Sequence, residues 1–177
     1  MQIEKHSWTF NDVDMRKEFG LILEEPFDDK LKPRLRERKL IVPHRNGAYD
    51  YGAKWYEERP VGVKCASVKL LTRADVRRLA LVLSEKGQLR SWYEPEKYYV
   101  GRIYDEADIE RVVGTMKRFV LPFICDPFAY GEQVTEQFKA QASLAYRGSA
   151  ATPTHIIITN RTQSPIKGLT LTMRESV

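Results

Sequence analysis

Two carboxylates and a lysine stand close together where the chain is most heavily charged: Asp29, then Glu37 followed at once by Arg38 and Lys39. On adjacent strands, such a set could hold a divalent cation beside a scissile phosphate, as a metal-dependent nuclease requires. Two facts count against it. Glu37 sits among positive neighbours that oppose cation binding, and a chain with 29 Lys and Arg and 24 Asp and Glu produces such triplets by chance. His6, His44 and His155 lie far apart, none in His-x-x-x-His spacing or beside a cysteine pair, so no metal and no cofactor are expected. The Gly-x-Ser-x-Gly elbow, the Walker lysine loop and the Rossmann glycine fingerprint are all absent, and no catalytic residue is assigned. Cys65 and Cys125 each fall in a strand-like run. Buried reduced thiols are expected, with a single Cys65–Cys125 bridge as the alternative that synthesis in a cytoplasm disfavours.

The same stretch offers a second chemistry. Lys30, Lys32, Arg34, Arg36, Arg38, Lys39 and Arg45 stand against one Glu37, while Glu24, Glu25, Asp28 and Asp29 lie just upstream. From Lys30 to Arg38 the basic residues alternate with Leu31, Pro33 and Leu35, so an extended backbone here has one basic face. Pro33 cannot donate to a ladder, which makes the run an edge strand or a projecting hairpin arm. Three uses fit. It is a phosphate-binding arm with Tyr49, Tyr51, Trp55 and Tyr56 ready to stack on bases, or a solvated edge that blocks aggregation, or a docking arm that meets the acidic stretch of an identical subunit. The third is preferred, and it makes Glu24, Glu25, Asp28, Asp29, Lys30, Lys32, Arg34, Arg36 and Arg38 the expected oligomer interface.

These residues need a scaffold, and 177 residues suffice for one core plus a small appendage. The 42% hydrophobic and 30% charged residues are those of an ordinary soluble protein. No apolar run nears the ~20 residues that span a bilayer, and the N-terminal residues lack the apolar core of a secretory signal. Apolar patterning places strands at 19–23, 61–71 (with a bulge near Ala66-Ser67), 88–92, 98–104 and 118–125. The 118–125 strand is apolar on both faces, so both are expected to be covered. Leu40-Ile41-Val42 is expected to return to the core, after which 43–47 forms a turn with Gly47 at positive φ.

One helix is predicted after Thr72. Thr72 is its N-cap, Asp75 favours its start, Gly87 stops it, and Val76, Leu79, Ala80 and Leu83 form the stripe that packs on the sheet. Residues 105–113 suit a helix or a strand equally. Past a boundary at residue 131 come a polar stretch, a Gly/Ser/Pro linker at 148–153, and two strand-like runs, 155–159 and the one holding Leu169, Leu171 and Met173. The fold class is therefore mainly β (α+β): a β-barrel-like or β-sandwich domain with one packed α-helix and a projecting hairpin arm, plus a short C-terminal β segment. The domains divide as 1–131 and 132–177.

The order of motifs carries a family resemblance. Trp8-Thr9-Phe10 is followed by Glu18-Phe19-Gly20-Leu21, then Val42-Pro43-His44-Arg45-Asn46-Gly47-Ala48-Tyr49-Asp50 and Arg59-Pro60-Val61-Gly62-Val63. The capped helix comes next, then Tyr98-Tyr99-Val100-Gly101 and Phe123-Ile124-Cys125-Asp126-Pro127-Phe128-Ala129-Tyr130. Over nearly all of residues 1–131 this resembles the distal tail protein (Dit) family of long-tailed, non-contractile bacteriophages and prophages. The resemblance implies a structural virion protein without enzymatic activity, made in the bacterial host cytoplasm. Its N-terminal belt domain forms a hexameric ring at the end of the tail tube, joining the tube protein to the tail-tip or tail-associated lysin protein, the baseplate and the receptor-binding protein for host attachment. It also implies a C-terminal galectin-like β-sandwich, for which 132–177 is too short, so that segment is expected to be incomplete or reduced. Neither membrane contact nor sequence-specific nucleic-acid binding is implied.

Overall fold

The computed structural model of the chain describes residues 3–28, 30, 32–52, 54–105, 118–138, 145–146, 148–161, 164–165, 167–168 and 170–172. Two compact units divide it, Met1–Gln137 and Phe138–Val177. Among the described residues, the first unit is an antiparallel sheet with two helices. Its strands are β1 (Trp8–Phe10), β2 (Val13–Asp14), β3 (Leu21–Leu23), β4 (Lys39–Ile41), β5 (Ala48–Asp50), β6 (Arg59–Ser67), β7 (Gly87–Ser91), β8 (Lys97–Ile103), β9 (Arg118–Cys125) and β10 (Tyr130–Gly131); its helices are α1 (Met15–Phe19) and α2 (Arg73–Leu83). The main sheet runs β2-β1-β7-β8-β9-β6-β3, with β10 paired to β8, while β4 and β5 form a separate two-stranded ribbon. The main sheet curls so that its β3 end reaches the β1 side, where Leu23 N–H donates to His6 O at 2.8 Å just ahead of β1.

Alternation builds the core. Along β6 the buried residues Val61, Val63 and Cys65 recur every second position, and on β9 Leu121, Phe123 and Cys125 do the same. The register sets Val61 opposite Phe123 and Val63 opposite Leu121, so the two apolar faces coincide. Trp8, Phe10, Phe19, Leu21 and Leu89 close over them with no exposed surface, joined by Val76, Leu79 and Leu83 of α2. Each such aromatic or aliphatic side chain contributes roughly 1.5–3 kcal/mol by leaving water. The outer face of β9 is less covered than its apolar sequence predicts, since Val120 is 55% exposed.

Helix α2 starts as predicted: Thr72 Oγ1 accepts from Asp75 N–H, and the Asp75 carboxylate accepts from Thr72 N–H at 3.0 Å. The Thr72 N–H, together with the Thr72 hydroxyl donating to the same oxygen at 2.8 Å, holds the Asp75 carboxyl below its usual range. The end differs from expectation. The helix stops at Leu83 with Ser84 as C-cap, and Gly87 instead opens β7, where the Asn11 amide lies so close that any Cβ would collide with it. The expected bulge near Ala66-Ser67 is also absent. β6 pairs without interruption to Ser67, and Val68 and Leu70, which had suggested the slip, are 65% and 76% exposed in the connection to α2.

Part of the 19–23 run is a second helix. Asp14 caps α1 by accepting from Arg16 and Lys17 N–H groups at 3.0 and 3.1 Å, and Gly20 ends it at φ +70. One helical turn is too short to leave a periodic signal, so Phe19 read as the start of a strand. The ambiguous run at 105–113 lies outside the described residues from 106 onward.

The two cysteines are free and buried. Cys125 faces Arg59 across the ladder, six positions along β6 from Cys65, which places the thiols roughly 20 Å apart at the rise of an extended strand. A disulfide needs Cα atoms within about 7 Å, so the bridge left open by the sequence is excluded.

In the second unit, no described residue belongs to a strand or helix. The predicted strand at 155–159 carries no ladder, and Ile157 is 89% exposed. Its expected partner run has Leu169 and Met173 outside the described residues, and Leu171 is half exposed. Two short strands bury too little apolar surface to offset the entropy of ordering them.

Candidate assembly surface

The basic stripe forms one side of a long hairpin arm spanning residues 30–56. Arg36 N–H donates to Trp55 O at 2.8 Å, Tyr51 N–H to Arg38 O at 3.0 Å and Glu57 N–H to Arg34 O at 2.8 Å. Leu35 bridges to Tyr56, and β4 pairs with β5 through Lys39–Asp50, Leu40–Tyr49 and Ile41–Ala48. The reversal is a tight turn in which Arg45 N–H reaches Val42 O at 3.3 Å, with Pro43 at its second position and His44 at φ +61 in its third. Proline presets the first corner, and the left-handed residue matches the geometry usually given to Gly or Asn. Gly47 takes φ +78, as the sequence predicts.

The arm has no core of its own. Leu40-Ile41-Val42 was expected to return to the interior, yet these residues are 49%, 80% and 38% exposed. Among the described residues the two-stranded ribbon has no third strand or helix behind it to bury them against. Pairing places Leu40 and Tyr49 on one face, with Arg38, Val42 and Tyr51 flanking them by strand alternation. The Tyr49 and Tyr51 rings meet edge to face at 5.1 Å, and the Arg45 guanidinium lies over Tyr49 at 5.7 Å from its centroid.

The arm is anchored at its base. Tyr56 packs edge to face on Phe128 at 4.9 Å, which gives the Asp126-Pro127-Phe128 corner its purpose. Pro33 is buried there. Arg59 is also buried; it donates to Lys30 O and lies over the Tyr99 ring at 5.8 Å. Lys86 donates to Asp126 at 2.8 Å, and Tyr130 OH donates to the same carboxylate at 3.2 Å, fixing the corner from its other side.

The acidic half of the predicted interface lies alongside β6. Glu24 receives the Arg118 guanidinium at 2.7 Å, and Glu25 receives Lys64 Nζ at 2.6 Å. The Lys64 hydrogen bond holds the Glu25 carboxyl below its usual range and raises the Lys64 ammonium in turn. Asp28 exchanges both backbone hydrogen bonds with Gly62, at 2.9 and 3.0 Å. Asp29 lies outside the described residues. Among the basic members, Arg34 pairs with Glu57 at 3.4 Å, whereas Lys30, Lys32, Arg36 and Arg38 form no ion pair with a described carboxylate. Acidic and basic halves therefore do not neutralise one another within the described part of the chain.

The nuclease-like set is not assembled. Glu37 pairs with Lys39 at 3.4 Å, and among the described residues no group of three His, Cys, Asp or Glu side chains is placed to hold a metal ion. His6 bonds Leu23 O through Nδ1 at 3.3 Å, His44 sits in the turn of the arm, and His155 belongs to the second unit. Among the described residues no helix is long and apolar enough to cross a membrane.

Sequence reasoning missed that Leu40, Ile41 and Val42 stay open on the arm and that Tyr56 anchors it on Phe128. The period-two pattern of Leu40, Val42, Tyr49 and Tyr51 was present, but alternation does not tell a face that packs from one left open.

No protein-family model matches the chain, and no curated protein sequence does. Among solved structures, it is similar to the crystal structure of SPP1 Dit (gp 19.1), described as a paradigm of the hub adsorption apparatus in phages that infect Gram-positive bacteria. The TM-score is 0.54 at 20% identity, over 72% of this chain and 53% of that one, so the chain spans about half the length of the SPP1 protein. The likeness is one of backbone architecture, and it agrees with the resemblance carried by the motifs: this chain has a Dit-like fold.

Proposed function

We propose that the chain is a structural hub protein of a phage tail tip, with no enzymatic activity. Copies of its first unit join side by side into a closed, hexameric ring that connects the tail tube to the tail-tip, tail-associated lysin and receptor-binding proteins. The observation that carries this reading is the arm: a hydrogen-bonded ribbon with an exposed apolar face, attached to a barrel of Dit-like fold. A lone two-stranded ribbon is marginal in water, and exposed apolar faces of this kind belong to interfaces. A repeated head-to-tail contact closes a ring when its rotation permits.

In this reading the arm lies on the next subunit, and the interface includes Glu24, Glu25, Asp28, Asp29, Lys30, Lys32, Arg34, Arg36 and Arg38. The pair Glu25–Lys64 is exposed and Glu24–Arg118 is open on its arginine side, so both are screened and exchanging them for contacts across subunits costs little.

Light scattering of the wild type and of a Lys32→Glu, Arg34→Glu, Arg36→Glu variant tests the interface. The variant is expected to lose the oligomer while keeping its circular-dichroism spectrum. An oligomer of unchanged mass in the folded variant would remove these residues from the contact.

A further inference from the structure

The distal half of the arm has a charge and a set of rings that a copy not yet seated in a ring leaves exposed. Residues 30–56 hold eight Lys and Arg against Glu37 and Asp50, a net charge of +6. The whole chain carries +5, so everything outside the arm nets −1. An identical copy thus has no matching excess of negative charge, and its acidic stretch of Glu24, Glu25, Asp28 and Asp29 supplies four carboxylates for the arm's eight cations. Among the described residues, Arg36, Arg38 and Arg45 pair with no carboxylate.

The rings are interleaved with these cations. Tyr49, Tyr51 and Trp55 are 49%, 62% and 66% exposed, Arg45 lies over Tyr49, and Arg36 pairs with Trp55 across the ribbon. Guanidinium groups neutralise phosphates, and open aromatic faces stack on unpaired bases. A duplex keeps its bases stacked on one another and leaves such rings idle. An acidic protein surface satisfies the charge but does not need three flat faces along an extended ribbon.

We propose that the outer half of the arm, through Arg36, Arg38, Arg45, Tyr49, Tyr51 and Trp55, binds single-stranded nucleic acid without sequence preference. This goes beyond the tail-hub reading and does not depend on it, because the site exists on a single copy.

The test uses the full chain, diluted until it is monomeric, with fluorescently labelled dT20 and U20 strands in anisotropy titrations. Both strands are expected to bind. Three phosphate contacts predict a log–log salt slope of about −2, or roughly a 20-fold weakening between 50 and 200 mM salt. A Tyr49→Ala, Tyr51→Ala variant is expected to lose at least about fivefold in affinity with the slope unchanged, since stacking is not ionic. An Arg36→Glu, Arg38→Glu variant is expected to flatten the slope, with the circular-dichroism spectrum reporting an intact barrel in both variants. No binding of either strand at 50 mM salt overturns the proposal. So does an unaltered affinity in the tyrosine variant together with equal competition by a duplex or by polyglutamate, which would leave only an unselective attraction to acidic surfaces. A ring that fails to form leaves these titrations unaffected, so the two readings fail separately.

Discussion

β6 and the arm follow the same rule of alternation and reach opposite ends. On β6, Val61, Val63 and Cys65 point every second residue into a core where β9 and β3 flank the strand, and each is no more than 1% exposed. On the arm, Leu40 and Tyr49 share a face with Val42 and Tyr51 at the same spacing of two, yet each is 49% exposed because, among the described residues, the ribbon has no further strand and no helix behind it. The pattern in a strand specifies which face is apolar. What covers that face is decided by the number of neighbours the topology supplies. On the barrel the cover comes from neighbouring elements, and on the arm the described residues leave the face open.

Substitutions on the two sides should separate stability from association. The largest effect is expected inside the barrel: Phe123, with no exposed surface and its ring 5.2 Å from Phe10, should cost about 3–5 kcal/mol when changed to Ala, read as a lowered denaturant midpoint. Gly101→Ala comes next. A Cβ there would stand 2.6 Å from Ile124 O and 2.5 Å from Cys125 Sγ, so β8 must pull away from β9, at a cost of about 1–3 kcal/mol by the same assay.

Burial pushes the Cys125 thiol up to about 12 from an ordinary 9. In the unfolded chain this thiol ionises at a lower pH than in the fold. Its contribution is therefore fully present below pH 9 and is lost as pH rises from 9 toward 12, about 1 kcal/mol by pH 10. Urea midpoints at pH 7 and pH 10 should show the decline in the wild type and a smaller one in Cys125→Ala. The smallest effect on stability is expected on the arm. A Leu40→Ala, Tyr49→Ala variant should unfold within about 0.5 kcal/mol of the wild type, as exposed sites do, while its self-association weakens. A large loss of stability there would mean the arm packs on its own barrel, and the contrast between the regions would fall.

Where neighbours are local or core-facing, the sequence was legible. Thr72 and Asp75 announced the start of α2, and the alternation of residues 118–125 announced β9. The hairpin arm was legible from Pro33 and the period-two basic run, because proline and unbroken charge are both incompatible with a central strand. Helix α1 was not, since a single turn held by an Asp14 cap and Gly20 leaves no period to detect. The bulge near Ala66-Ser67 was wrongly expected because Val68 and Leu70 were assumed buried, and apolar type alone does not establish burial. Of the candidate surface, the charges were visible in sequence. Their partners were not, because Arg118 and Lys64, which neutralise Glu24 and Glu25, come from β9 and β6, far along the chain.

Sedimentation velocity of the full chain across a dilution series addresses the ring directly. A protomer of 20.6 kDa that closes a six-membered ring should appear as one species of about 124 kDa, six times that mass, with few open intermediates between it and the monomer. A single 20.6 kDa species persisting to the highest concentration would contradict the account.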